Sequence, residues 1–343
     1  MGSTSKGRGI IGVIFLSLAT LGFTPQGGCG QGDQNKNDRA ALLLLLGGNS
    51  DPCPGNSYSH ALTIGSPGSA PGQFMEPRGL TISPDSRLYI TDSSSGQVHR
   101  FALDGTYETR FGTASSSPAN GDFDTPTDIA VDETGNLYVA EIGNQRIQKL
   151  DGSGSHLANI ASSGTGDGQF TAPWALALFA PDQLFISDVG PERVQRLSTN
   201  GAFALKFGSN GASDGQFQSP DGMAVDQKNA LIYVSSNGRI QKFTMNGEFL
   251  LRLGSAGTGD GQFSSGGPDG LAVDRVGHIY AVDPGGRRVL KFNTDGALLA
   301  TLGRIGTAPG EFQSPRDVAV DNDGSVYVSD ITRKVVEKFH CVP

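Results

Sequence analysis

The chain has 343 residues, with 26 Lys+Arg against 34 Asp+Glu for a net charge of −8, and 50 Gly, 18 Pro and 3 Cys. Charged residues at 17% exclude a coiled coil, and 36% apolar residues exclude a charge-driven disordered chain. The acidic balance excludes a nucleic-acid partner, whose phosphates need a basic footprint, and the glycine and proline content leaves a turn-rich all-β chain.

At the start, Lys6 and Arg8 precede an apolar stretch over residues 10–23. That stretch is too short to span a ~30 Å hydrocarbon core comfortably, and its basic flank is that of a secretory leader. Gln26-Gly27-Gly28-Cys29 follows, and it resembles the lipobox of bacterial lipoproteins, with Gln26 where that family has Leu. The resemblance implies a leader over residues 1–28, a lipid on Cys29, and membrane attachment in a bacterial cell envelope. Gly30 is not the Asp that holds some lipoproteins at the inner membrane, so the outer membrane is expected. Residues 29–56 then form a tether, whose apolar run at residues 40–46 is too short to cross a bilayer.

Beyond the tether the chain repeats itself. Gly-x-Phe recurs at Gly72-Gln73-Phe74, Gly121-Asp122-Phe123, Gly168-Gln169-Phe170, Gly215-Gln216-Phe217, Gly261-Gln262-Phe263 and Gly310-Glu311-Phe312. A proline follows each, at 77, 126, 173, 220, 268 and 315, with spacings of 49, 47, 47, 48 and 47 residues. Each unit predicts four short strands. The first alternates large and small residues, as in Ile129-Ala130-Val131, and the second is of the type Leu137-Tyr138-Val139. The third is of the type Arg146-Ile147-Gln148-Lys149-Leu150, and an Asn/Asp-Gly turn such as Asn246-Gly247 leads into the fourth.

Four antiparallel strands at this period are a β-propeller blade. The motif Pro-x-[Gly/Asp]-[Ile/Val/Leu]-Ala-Val-Asp…Leu-Tyr-Val…Arg-[Ile/Val]-Gln-[Lys/Arg] resembles the NHL repeat over residues 58–340 and implies a six-bladed propeller over 57–343. The sixth unit ends after its third strand. The segment 57–65 is expected to supply the missing fourth and to remove a free sheet edge. With Cys29 lipidated, Cys53 and Cys341 remain as a pair, placed by that closure at adjoining ends of neighbouring strands and expected to form a disulfide.

Two acidic columns end the first and second strands: Asp132, Asp226, Asp274 and Asp321, then Asp92, Glu141, Asp188, Asp283 and Asp330. Repetition in most blades marks a structural duty, namely capping turns and pairing with Arg146, Arg193 and Arg288. None of the histidines is expected on an innermost strand: His60, His99 and His340 fall on outer strands, His156 and His278 in loops or turns. This argues against the pore-lining zinc histidines of six-bladed amidating lyases. The Gly-rich stretches at 164–168 and 257–261 lack the Lys and the helix of a phosphate loop, and read as turns.

One column breaks the repeat. The residue after each repeat proline reads Arg78, Thr127, Trp174, Asp221, Asp269 and Arg316 in blade order, and Trp174 is the only tryptophan. These six residues at the mouth of the channel are the expected ligand-binding set. The expected function is an exported, lipid-anchored, monomeric and non-catalytic scaffold for a protein, peptide or glycan, without a cofactor. The alternative is a metal-dependent lyase or hydrolase of the six-bladed kind, with a divalent ion near the axis.

Overall fold

The structure, a computed structural model, describes residues 50–113 and 119–342. The expected leader, Cys29 and the apolar run at residues 40–46 lie outside the described residues. In the first blade, Pro77–Ile82 pairs with Arg87–Asp92, then Gln97–Ala102, then Tyr107–Phe111, all antiparallel. The order recurs from the innermost strands Pro126–Val131, Pro173–Phe179, Pro220–Asp226, Leu271–Val273 and Pro315–Val320. Six such blades in a ring make a six-bladed β-propeller, and no helix occurs among the described residues.

The alternation of small and large residues has a direct counterpart across the first strand pair. Ala130, Ala177, Ala224, Ala272 and Ala319 lie opposite Tyr138, Phe185, Tyr233, Tyr280 and Tyr327. A methyl beside a ring fills a width that two rings would overfill. The five rings are fully buried. On the third strand, Lys149, Lys242, Lys291 and Lys338 hold their ammonium groups 5.0–5.9 Å from the centroids of the tyrosines.

Between neighbouring blades lie separate apolar clusters. Tyr89, Val98, Phe123 and Ile129 join blades one and two, and Tyr280, Val289, Phe312 and Val318 join blades five and six. The Gly-x-Phe phenylalanines are fully buried in these seams. Several also bridge in parallel to the chain at or just beyond the end of the preceding outer strand, as Phe170 does to Ser163 and Phe217 to Asn210. At Gly208 the reason for glycine is double: φ is +89°, and an added Cβ would lie 2.2 Å from the Phe217 ring.

Ser57–Ile64 pairs antiparallel with Val335–Val342 and completes the sixth blade, with Tyr58 opposite Cys341. Cys53 and Cys341 form the expected disulfide, with a Cα–Cα distance of 5.5 Å. The acidic columns do structural work. Asp132 and Asp321 cap their turns and accept the Tyr138 and Tyr327 hydroxyls. Glu141, Asp188 and Asp283 pair with Arg146, Arg193 and Arg288 at 2.8, 3.5 and 3.0 Å.

Candidate functional site

The innermost strands converge on a central cavity of about 780 Å³, lined from all six blades. In five blades the strand register slips directly after the repeat proline. Proline offers no N–H to the neighbouring strand, so the ladder pauses there, and a bulge redirects the next residue. Those next residues, Arg78, Thr127, Trp174, Asp221 and Arg316, all line the cavity, as does Asp269 in the blade whose innermost strand is shortest.

The six side chains fall into three groups. Arg78 makes two hydrogen bonds to Glu76, at 3.0 and 2.7 Å, and its guanidinium lies 5.3 Å from the Trp174 ring centroid. Thr127, in the blade between them, is buried and donates its hydroxyl to the Trp174 carbonyl at 2.8 Å. Arg316 and Asp269 form an ion pair across blades five and six. Asp221 is left without a cation in contact; its side-chain hydrogen bond comes from the Ser219 hydroxyl at 2.9 Å.

Burial pushes the Asp221 carboxyl up to about 6, against the Ser219 hydrogen bond; the nearby Asp269 and Glu192 charges add to the rise and Arg316 opposes it. Asp269 is also raised by burial, with Arg316 pulling it back.

Below the mouth is a second pair of carboxylates that the repeat motif contained without distinguishing. The position after the mouth residue is glycine in blades one, four and five, and Asp128 and Asp317 in blades two and six. Each Asp occupies space that a glycine of the preceding blade leaves open. A Cβ on Gly270 would lie 2.0 Å from Asp317 Oδ1, and one on Gly79 would lie 2.6 Å from Asp128 Oδ1. Each carboxylate accepts the backbone N–H of the following blade, Asp128 from Leu176 and Asp317 from Leu80, both at 2.7 Å. Burial raises both carboxyls, Asp317 to about 7 and Asp128 well above the usual range, with the Asp317 charge adding to the rise at Asp128. The signal in the sequence was the Gly/Asp alternation itself, which reports a gap and its filler.

The histidines stay away from the channel walls. His60, His99 and His340 lie on outer strands and His278 in a turn, while His156 opens an outer strand rather than lying in a turn. Among the described residues, three possible metal ligands come within 4.8 Å of one another only at Asp51, Asp274 and His278. Asp274 is engaged there in capping its turn, accepting the N–H groups of Val276, Gly277 and His278. At the mouth, Asp221 and Asp269 share their space with Arg316, so the donor set fits neither a three-ligand zinc site nor an oxygen-rich calcium site.

Comparison with known proteins places this geometry. A family model described as "SMP-30/Gluconolactonase/LRE-like region" matches residues 45–171, just over a third of the chain. A probable peptidyl-alpha-hydroxyglycine alpha-amidating lyase of Caenorhabditis elegans is 34% identical over 94 residues. That match spans 26% of this chain and 26% of the lyase. Solved structures share the fold. One is a Bacteroides thetaiotaomicron protein of unknown function, with TM-score 0.64 and 19% identity over 82% of this chain and 75% of that one. A second is a Xanthomonas campestris gluconolactonase, with TM-score 0.59 and 18% identity over 82% and 98%. A third is virginiamycin B lyase of Staphylococcus aureus, with TM-score 0.55 and 12% identity over 83% and 100%.

The sequence matches overturn the expectation of a non-catalytic scaffold, because they lead to a gluconolactonase-type region and to a lyase. That expectation leaned on the missing axial histidines. A carboxylate can transfer protons as a histidine does, and burial pushes the cavity-lining Asp221 up to about 6.

Proposed function

We propose that the protein is an enzyme of the lyase or hydrolase kind, acting on a small molecule at the channel mouth with Asp221 as general acid–base. The observation that carries this reading is the placement of Asp221. It is a cavity-lining carboxylate with a raised pKa and no contacting cation, beside the Arg316–Asp269 ion pair. Elimination and hydrolysis both move a proton on or off an oxygen, and a group titrating near the working pH does so in either direction. Trp174 and the Arg78 over its ring line the same cavity and are placed to meet the body of the substrate. We read the six units as NHL-like repeats, a finer kinship than the matched family model. The proton transfer is assigned to the Asp221 carboxylate, because among the described residues the six mouth positions hold no cluster of three metal ligands.

Asp221→Asn keeps the shape and removes the proton acceptor. Assayed on a panel of aryl esters, lactones and α-hydroxy amides, it is expected to lower kcat by about 10²- to 10⁴-fold. Wild-type kcat/KM is expected to rise with pH through about 6, as Asp221 ionises, and then level off. A loss below threefold in Asp221→Asn on the best substrate of the panel overturns the assignment.

A further inference from the structure

We propose that Ser219 is a catalytic nucleophile paired with Asp221, and that the mouth cleaves carboxylic esters through an acyl-enzyme. This rests on the reading of the mouth as an acid–base site and selects hydrolysis over elimination.

The first observation is the hydrogen bond itself. Ser219 Oγ donates to Asp221 Oδ1 at 2.9 Å, the nucleophile-to-base contact that an activated hydroxyl requires. A second is conformational. Ser219 holds φ at +58°, the left-handed region that a residue with a side chain rarely adopts, and shares it with Thr125 at +53° in the same place of blade two. Its backbone N–H is held there by Glu192 Oε2 at 2.6 Å. Strain of this kind recurs where a side chain must be presented at an exposed turn, as in the nucleophile elbow of hydrolases. Third, Ser219 is exposed and lies just outside the cavity lining, with its hydroxyl bonded to the lining Asp221.

The other blades supply an internal comparison. The residue before each repeat proline is Glu76, Thr125, Ala172, Ser219, Gly267 or Ser314. Ser314 is followed across the proline by Arg316, and Thr125 by Thr127. Only blade four places a hydroxyl before the proline and a carboxylate after it.

In the reaction, Ser219 Oγ forms a bond to the ester carbonyl carbon while its proton passes to the Asp221 carboxylate. The negative charge on the carbonyl oxygen develops in the field of Arg316, which already acts on Asp221. The carbonyl re-forms, the ester C–O bond breaks, and the departing alkoxide takes the proton from Asp221. Water then attacks the acyl carbon and yields a proton to Asp221. The Ser219 oxygen leaves and recovers that proton. One ester and one water become one acid and one alcohol, and no other reactant is needed.

The test uses the full chain with diisopropyl fluorophosphate and p-nitrophenyl acetate as probes. The phosphorylating probe is expected to add once, at Ser219, by peptide mapping. Ser219→Ala is expected to lose the adduct and at least 100-fold of the p-nitrophenyl acetate rate while still unfolding cooperatively. Asp221→Asn is expected to slow labelling at Ser219 by a similar factor. No adduct at Ser219 in the wild type, or a Ser219→Ala protein with the wild-type rate, overturns the nucleophile. If Ser219→Ala is active while Asp221→Asn is not, the acid–base site stands and the acyl-enzyme falls. If both variants are fully active, both readings fall.

Discussion

A single side chain shows how a repeat exposes its own irregularities. On the third strand, Gln148, Gln195 and Gln241 each close the same pair of hydrogen bonds with the Gly-x-Phe turn that precedes them in the chain. Their Oε1 atoms accept from Gly121, Gly168 and Gly215 at 2.9, 3.0 and 2.9 Å, and their Nε2 atoms donate to carbonyls at 2.7–2.8 Å. In blade one the equivalent residue is His99, fully buried with neither ring nitrogen bonded. Burial pushes His99 down to about 4, with Asp92 opposing and Arg110 adding to the fall. The folded protein thus keeps His99 neutral where an unfolded chain would protonate it. Stability is present above the ordinary value near 6.5 and is lost as pH falls toward about 4. His99→Gln restores the partners found in blades two to four and removes the titration. Its melting temperature is expected to exceed that of wild type, by more at pH 4.5 than at pH 7.5. An equal or smaller gain at the acid pH counts against this account.

The innermost strand shows what a linear motif can and cannot convey. Its small–large alternation was legible because Ala130, Ala224 and Ala319 recur in register with the tyrosines that they face. The column after the proline was legible as the place where symmetry ends, since the same fold cannot require Arg78, Trp174 and Asp221 at one position. The pairing of those residues was not legible. Arg78 turns to Glu76 and Trp174, and Arg316 to Asp269, choices set by three-dimensional apposition between blades. Ser219 was hidden for a different reason, because its role depends on a backbone angle and a partner two residues away. Asp128 and Asp317 were visible only as a tolerated alternative to glycine.

Those two carboxylates couple strand geometry to pH. A carboxyl raised in the folded state favours folding below its ordinary value of 3.8, and that contribution is lost as pH rises through about 7 at Asp317. The groups that face it are the Leu80 and Val318 N–H groups and the Asp269 and Asp128 charges. Asp317→Asn keeps an acceptor for Leu80 and removes the charge. Between pH 5 and pH 8 the wild type is expected to lose more thermal stability than this variant, as read by calorimetry. Parallel pH curves would assign the titration elsewhere.

At the scale of the whole molecule, the ring is closed twice, by strand pairing and by a covalent bond. The Cys53–Cys341 link spans a sequence separation of 288 residues. In the chain-entropy model a loop of that size is worth at most about 5 kcal/mol, and measured gains are commonly smaller. Cys341→Ser, or reduction under native conditions, is expected to lower the melting temperature and to expose Ser57–Ile64 to hydrogen exchange before any other strand. Uniform exchange across all six blades after reduction would show that the closing strand does not depend on the bond.

The same bond decides how the molecule bears load. Residues on the amino-terminal side of Cys53 and on the carboxyl-terminal side of Cys341 emerge from one covalent knot. A pull applied between these two ends is therefore carried through sulfur, and none of the chain between the two cysteines is drawn out by it. The blades lie off that load path, so tension between the two ends does not stretch the mouth.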